Sequence, residues 1–323
     1  VIGDIVQAEG APGPTLVLHR DRLPAGALAS RAELAVVRGW LERTGRGHIR
    51  KLALIGSSAD PSYDLDYRFV QCLPQGFDFR AGCGHSLLAA VAGTGRPGAV
   101  RVRAVTTNDA VVCVPEPRGT HTVRLERTAG FADLLPTGRP AERLCGLSVS
   151  IVRYGNPYVF VDARDLGLHS ERALFGAGPA VLGQLTAVRA AAARLLGMPP
   201  WGALPKVAAV GSYAPGRLSA RAVTVSGWHP ALALTGSICM AAGTVVPGTV
   251  PSHLARENNT ACEAPSRTVR RPHRSLCIST RLGPVHVSAD VTAERLEHVA
   301  VHGKRVRVIE RAVPLPWRIH VTA

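Results

Sequence analysis

Two short runs of this chain are apolar on nearly every side: Ser86–Ala92 (SLLAAVA) and Gly236–Ala242 (GSICMAA). A helix with no polar face has to be enclosed. The surrounding sequence offers one kind of wall. Runs such as KLALIG, VRVRAV, AVVCV, LSVSIV, PKVAAVG and VHVSADV are rich in valine and often alternate, the pattern of half-buried antiparallel strands. The 33 glycines and 24 prolines cut the chain into many short elements. Ser30–Thr44 and Ala180–Gly197 read as amphipathic helices, and Thr292–Val299 as a further helix.

The two enclosed runs make a repeat. Each half has strands, a glycine-rich turn with Cys or Ser/Thr, a short buried helix, then more strands: AGCGHSLLAAVAG first, LTGSICMAAGTV second. A boundary near Arg139–Gly146 separates the copies. The expectation is an α+β chain of two pseudo-symmetric domains, each a barrel-like antiparallel sheet around a central helix. They cover residues 1–145 and 146–300, with 301–323 a strand segment returning to the first.

The net charge of +15 raises the question of nucleic acid. The arginines are dispersed, the densest cluster being Arg267–Arg274. Five Tyr, six Phe and four Trp make a poor stacking platform for bases, so no nucleic-acid partner is expected. An anionic or polyunsaturated small molecule is the expected ligand, and a homodimer is allowed. No apolar run reaches the ~18–20 residues of a membrane span. Cysteines at 72, 83, 113, 145, 239, 262 and 277 form no CxxC pair and no zinc spacing. They read as free thiols of a cytoplasmic protein without signal peptide, metal or cofactor.

The two turns carry the chemistry. A helix N-terminus offers open N–H groups and a positive dipole end, and glycines let the backbone approach a ligand. Cys83 would act there as acid or base. Gly84, His85 and Ser86 in the first turn, and Thr235, Gly236 and Ser237 in the second, would contact an anionic substrate. The alternative is a tight turn before a buried helix with an inert thiol, and Gly-Cys-Gly alone does not decide. Lys51 opens an apolar strand, where desolvation would turn it into a usable base. His229, just ahead of the second turn, would bind a carboxylate or relay a proton.

The segments KLALIGSS, YDLDYRFVQC, YGNPYVFVDARDLGL, PKVAAVG, SARAVTVSGWHPALALTGSICMAAGTVVPGTV and HGKRVRVIERAVPLP resemble, in this order, the family of 2-methylaconitate cis–trans isomerase, 3-methylitaconate Δ-isomerase and 4-oxalomesaconate tautomerase. The resemblance runs from about Lys51 to Pro316. It implies the diaminopimelate-epimerase fold, with the active site in a cleft between two similar domains. It also implies cofactor-free proton transfer on unsaturated di- or tricarboxylates: a base removes an allylic proton, donors stabilise the dienolate, and the proton returns elsewhere. Lys51 and Cys83 fall on the family's functional Lys and Cys.

The chain departs from the family where the substrate is held. The family's Gly-Gly-Thr-Ser-Lys-Gly segment falls at EGAPGPTLV, with Pro12 and Pro14 and neither Ser nor Lys. The Asn-Cys-Gly-Asn turn reads Gly82-Cys83-Gly84-His85. Charged hydrogen bonds are worth about 1.5–3 kcal/mol each, so several losses disfavour a tricarboxylate. Three readings follow: an isomerase of an unsaturated carboxylate with a divergent site, a scaffold repurposed in secondary metabolism to cyclise a larger polyene or polyketide-like substrate, and a non-catalytic binding protein.

Overall fold

The computed structural model describes residues 2–224, 227–258 and 273–316. Cys262 and the basic cluster up to residue 272 lie outside them. The chain forms two compact units, Val1–Val123 with Lys304–Ala323, and Arg124–Gly303.

The first unit runs β1 (Ile2–Ala8), β2 (Thr15–His19), α1 (Arg31–Arg43), β3 (Lys51–Ser57), β4 (Leu65–Leu73), β5 (Gly76–Asp78), α2 (Gly84–Gly93), β6 (Val100–Ala104) and β7 (Asp109–Glu116). β8 (Thr120–Gly130) then leads into the second unit. β1–β2, β3–β4, β4–β5 and β6–β7 pair antiparallel. β2–β3 and β4–β6 pair parallel. Those two parallel pairs are where a helix intervenes, because parallel neighbours need a crossover.

Both faces of β3 are covered, which is why KLALIG reads as a continuous apolar run. Leu34, Val37 and Leu41 of α1 pack with Leu16, Leu18, Leu52 and Leu54 on one face. Helix α2 packs against β1, β2, β3 and β4. It is buried from His85 through Val91, as an all-apolar helix requires.

The second unit repeats the order. After β9 (Glu142–Leu144) come β10 (Leu147–Tyr154), β11 (Asn156–Asp162), α3 (Glu171–Gly176), α4 (Pro179–Leu195), β12 (Lys206–Ala214), β13 (Arg217–Thr224), β14 (Gly227–Trp228), α5 (Leu234–Val245), α6 (Val250–Asn258), β15 (His273–Thr280), β16 (Gly283–Thr292) and β17 (Arg295–Pro314). β11–β12 and β13–β15 are its parallel pairs. α5 is its enclosed helix, packed on β10, β11 and β16. The end of β17 returns to pair with β1 in the first unit.

The repeat extends to side chains. Thr15 pairs with Lys51 in the first unit, and Tyr158 with Lys206 in the second. Three residues on, Leu54 pairs with Arg68 and Ala209 with Arg221. Both arginines are buried, and both donate to carbonyls of the crossover ahead of a helix. Arg68 reaches the Pro24 and Gly26 oxygens at 2.9 and 3.3 Å, and Arg221 those of Leu174 and Ala177 at 3.0 and 2.8 Å. A buried guanidinium has to spend its donors, and the fold solves that in the same way twice.

Three details differ from the sequence expectation. Arg139–Gly146, placed there as a boundary, lies within the second unit: Cys145 and Gly146, both at positive φ, turn β9 into β10. Thr292–Val299 is no helix. Thr292 pairs with Arg295 and Val291 with Leu296 across a turn at Ala293, φ 53°, so pairing of β16 with β17 overrides a short helical pattern. Helix α6 was not expected, although the Thr249 hydroxyl accepts from Ser252 N–H at 3.2 Å, a cap readable in TVPS. No single helix among the described residues is long and apolar enough to cross a membrane.

Gly236 marks a close approach. A Cβ there would lie 2.7 Å from the Tyr158 oxygen and 2.9 Å from Leu232 Cδ1. Gly236→Ala is expected to destabilise the chain by about 1–3 kcal/mol in urea unfolding, with Tyr158→Leu recovering part of the loss. Unchanged stability of the single variant would contradict this packing.

Candidate active site

Lys51 is the first residue of β3. Since Leu52 and Leu54 face α1, alternation sends Lys51 and Ala53 to the face where α2 lies. Its register partner Thr15 shows the same side, because the Thr15 and Ser86 hydroxyls are 2.9 Å apart, joining β2 to the first turn of α2. Lys51 is only 8% exposed. Burial lowers its pKa from the usual lysine value, and the charge of Cys83 acts in the opposite sense. The two residues singled out from the sequence are linked through Thr15, the register partner of Lys51, and Ser86, whose hydroxyl reaches the Cys83 sulfur.

The turn that carries Cys83 is built locally. Asp78, at the end of β5, accepts from the Arg80 backbone N–H at 2.9 Å and from its guanidinium at 3.3 Å. This bends the chain toward the helix. Cys83 is the N-cap of α2, extended at φ −139° and ψ 103°, and its side chain makes no capping bond. Its carbonyl accepts the first helical bond from Leu87 at 2.9 Å and a second from the Tyr67 phenol at 3.0 Å. Its sulfur, half-buried, accepts from the Ser86 hydroxyl at 3.3 Å. Burial foremost, then the charge of Cys83, pushes the Tyr67 pKa well up, while a hydrogen bond with Ser86 opposes. The phenol thus stays a donor.

The other expected contacts divide. Gly84 is partly exposed beside Cys83. His85 is 2% exposed and enclosed with the helix. Ser86, expected to face a substrate, is 0% exposed, with its hydroxyl committed to Thr15 and Cys83. In the second unit, Ser237 is also fully buried, and its hydroxyl donates back to the Ala233 carbonyl at 3.3 Å. Gly236 lies under Tyr158. Thr235 remains partly exposed and accepts from Asn156 Nδ2 at 3.5 Å. Buried His229 accepts the Ala231 N–H on Nδ1 at 3.1 Å, which leaves its proton on Nε2 when neutral. Of the second trio, then, only Thr235 keeps an accessible position for an anion.

Sequence reasoning missed Thr15 and Tyr67. Alternation in LDYRF puts Tyr67 on one face with Leu65 and Phe69, but nothing local marks it as a partner of residue 83. Among the described residues, no cluster of His, Cys, Asp or Glu could hold a metal ion. A groove of about 170 Å³ lies on the α1 side of the sheet, lined by Arg38, Glu42, Arg50 and Cys72. Its Arg38 is occupied by Glu42 and the Leu73 carbonyl, and neither Lys51 nor Cys83 lines it.

The fold is shared with isomerases, racemases and epimerases of small carboxylic acids. A methylitaconate Δ-isomerase structure superposes with a TM-score of 0.64 at 19% identity, over 98% of both chains. A probable proline racemase from Agrobacterium radiobacter K84 gives 0.64 at 14%, over 99% of this chain and 95% of the other. A hydroxyproline epimerase from Agrobacterium vitis gives 0.55 at 15%, over 95% and 92%. This is the diaminopimelate-epimerase-like fold expected from the sequence. Residues 96–302 match the PrpF protein family, well over half of the chain, and the chain belongs to that family. Lys51 and Cys83 precede the matched residues. The Bacillus subtilis (strain 168) protein named "Putative isomerase YraM" is 30% identical over 189 residues. That match spans 50% of this chain and 49% of that protein, about half the relative's length.

A lysine held below its usual pKa binds fewer protons folded than unfolded. Its contribution to stability therefore rises with pH, from the lowered folded value up to the unfolded value near 10.5. Lys51→Met is expected to raise Tm at pH 7, and the gain should shrink as the pH approaches 10. A loss of stability, or a gain that does not change with pH, would contradict the burial cost.

Proposed function

We propose that this chain is a cofactor-independent isomerase that moves a proton, or rotates a double bond, on an unsaturated carboxylate, with Lys51 and Cys83 as its acid–base pair. One observation carries the reading: a buried lysine stands in the sheet beside Thr15, whose hydroxyl leads through Ser86 to a half-buried thiol at a helix N-terminus. The names of the methylitaconate isomerase and the racemases of the same fold support the reaction class.

The chemistry follows from the two groups. Neutral Lys51 takes the proton from the carbon allylic to the double bond. The electron pair spreads through the alkene into the carboxyl group. The Cys83 thiol then returns a proton at the far allylic carbon, and transfer from the Lys51 ammonium to the thiolate resets the pair. Atoms and charge balance without another reactant. Partly exposed Gly84, beside Cys83, is the proposed substrate contact. The protein acts as a soluble cytoplasmic enzyme.

The test is proton exchange in heavy water, followed by NMR, over unsaturated mono-, di- and tricarboxylates and larger polyenes. The expected result is deuterium at allylic carbons, rising with pH below the ordinary lysine range as Lys51 deprotonates. Lys51→Ala and Cys83→Ser should each lower it by roughly 10²-fold or more without loss of fold. Exchange at the wild-type rate in both variants would overturn the assignment.

A further inference from the structure

The hydroxyls behind Cys83 form a chain of contacts. Ser86 donates to the sulfur at 3.3 Å, and its hydroxyl lies 2.9 Å from that of Thr15. With the Ser86 proton on the sulfur, the Thr15 hydroxyl is the donor of that pair. Both residues are closed to bulk solvent, Ser86 at 0% and Thr15 at 2% exposure. The chain runs from Thr15, beside Lys51 in the sheet, through the first turn of α2 to Cys83. Tyr67 fixes the far end by holding the Cys83 carbonyl at 3.0 Å.

We propose that Thr15 and Ser86 are positioning residues: a buried hydroxyl relay that holds the Cys83 sulfur as an acceptor and sets its reactivity. This rests on Cys83 being the acid–base group proposed above. It moves Ser86 from substrate contact to support, and brings in Thr15, a residue from another strand. A donor to the sulfur fixes its position and its lone pairs, and so its attack on an alkylating agent. Successive hydrogen bonds strengthen one another, so removing Thr15 should be felt at the sulfur it does not touch.

The experiment is iodoacetamide alkylation of the full chain at pH 7, read at the Cys83 peptide by mass spectrometry to separate it from exposed Cys145. Ser86→Ala should slow alkylation of Cys83 roughly ten-fold, and the near-isosteric Thr15→Val about three-fold. Thr15→Ser, which keeps the hydroxyl, should react at the wild-type rate. Thermal melts establish that each variant is folded. Alkylation of folded Ser86→Ala and Thr15→Val at or above the wild-type rate would overturn the relay, as would a Thr15→Ser rate matching Thr15→Val. Alkylation needs no substrate, so this outcome is separate from the exchange assay that tests the reaction.

Discussion

A helix with no polar side cannot rest on a surface, and the arrangement around Cys83 follows from that constraint. Enclosing α2 takes sheet on several sides and places the polar start of the helix inside it. There the open backbone and side-chain groups must find one another, since an unsatisfied buried polar group costs about 1–3 kcal/mol. The Thr15–Ser86–Cys83 chain and the Tyr67 phenol on the Cys83 carbonyl are that solution. Lys51 pays no such debt locally; its lowered pKa expresses the burial directly.

The second unit repeats the scaffold without the hydroxyl and thiol arrangement of the first. Lys206, Arg221 and α5 stand where Lys51, Arg68 and α2 stand. Yet the strand position of Thr15 is taken by Tyr158, which fills the space over Gly236, and the N-cap is Ala233 in place of a cysteine. A hydroxyl network in one unit is replaced by aromatic packing in the other. The buried arginines and the paired crossovers are retained in both, which fits a framework role for them and a specialised role for the first helix start.

Much of this was legible in the sequence because it is local. The all-apolar runs named both enclosed helices, and valine alternation located strands such as β3, β10, β11 and β12. Lys51 and Cys83 were visible as candidates from their strand-start and turn positions, and the family resemblance gave them their expected role. What was not legible depends on distant pairing. Thr15 gains its role only when β2 lies beside β3, and Ser237 loses its proposed role only when its hydroxyl turns back to Ala233. Short β5, β9 and β14 leave little pattern to read. Residues 292–299 carried helical spacing, but the neighbouring strand decided their conformation.

The central claim is that Lys51 and Cys83 form one coupled pair at the buried start of α2. The most direct measurement is the titration of Lys51 itself, followed by NMR on the 13C-methylated chain in the wild type and in Cys83→Ser. The account predicts a midpoint below the ordinary lysine range, lower still in Cys83→Ser because the sulfur's charge supports the ammonium. A Lys51 that titrates like a solvent-exposed lysine, and is unmoved by the loss of the thiol, would contradict it.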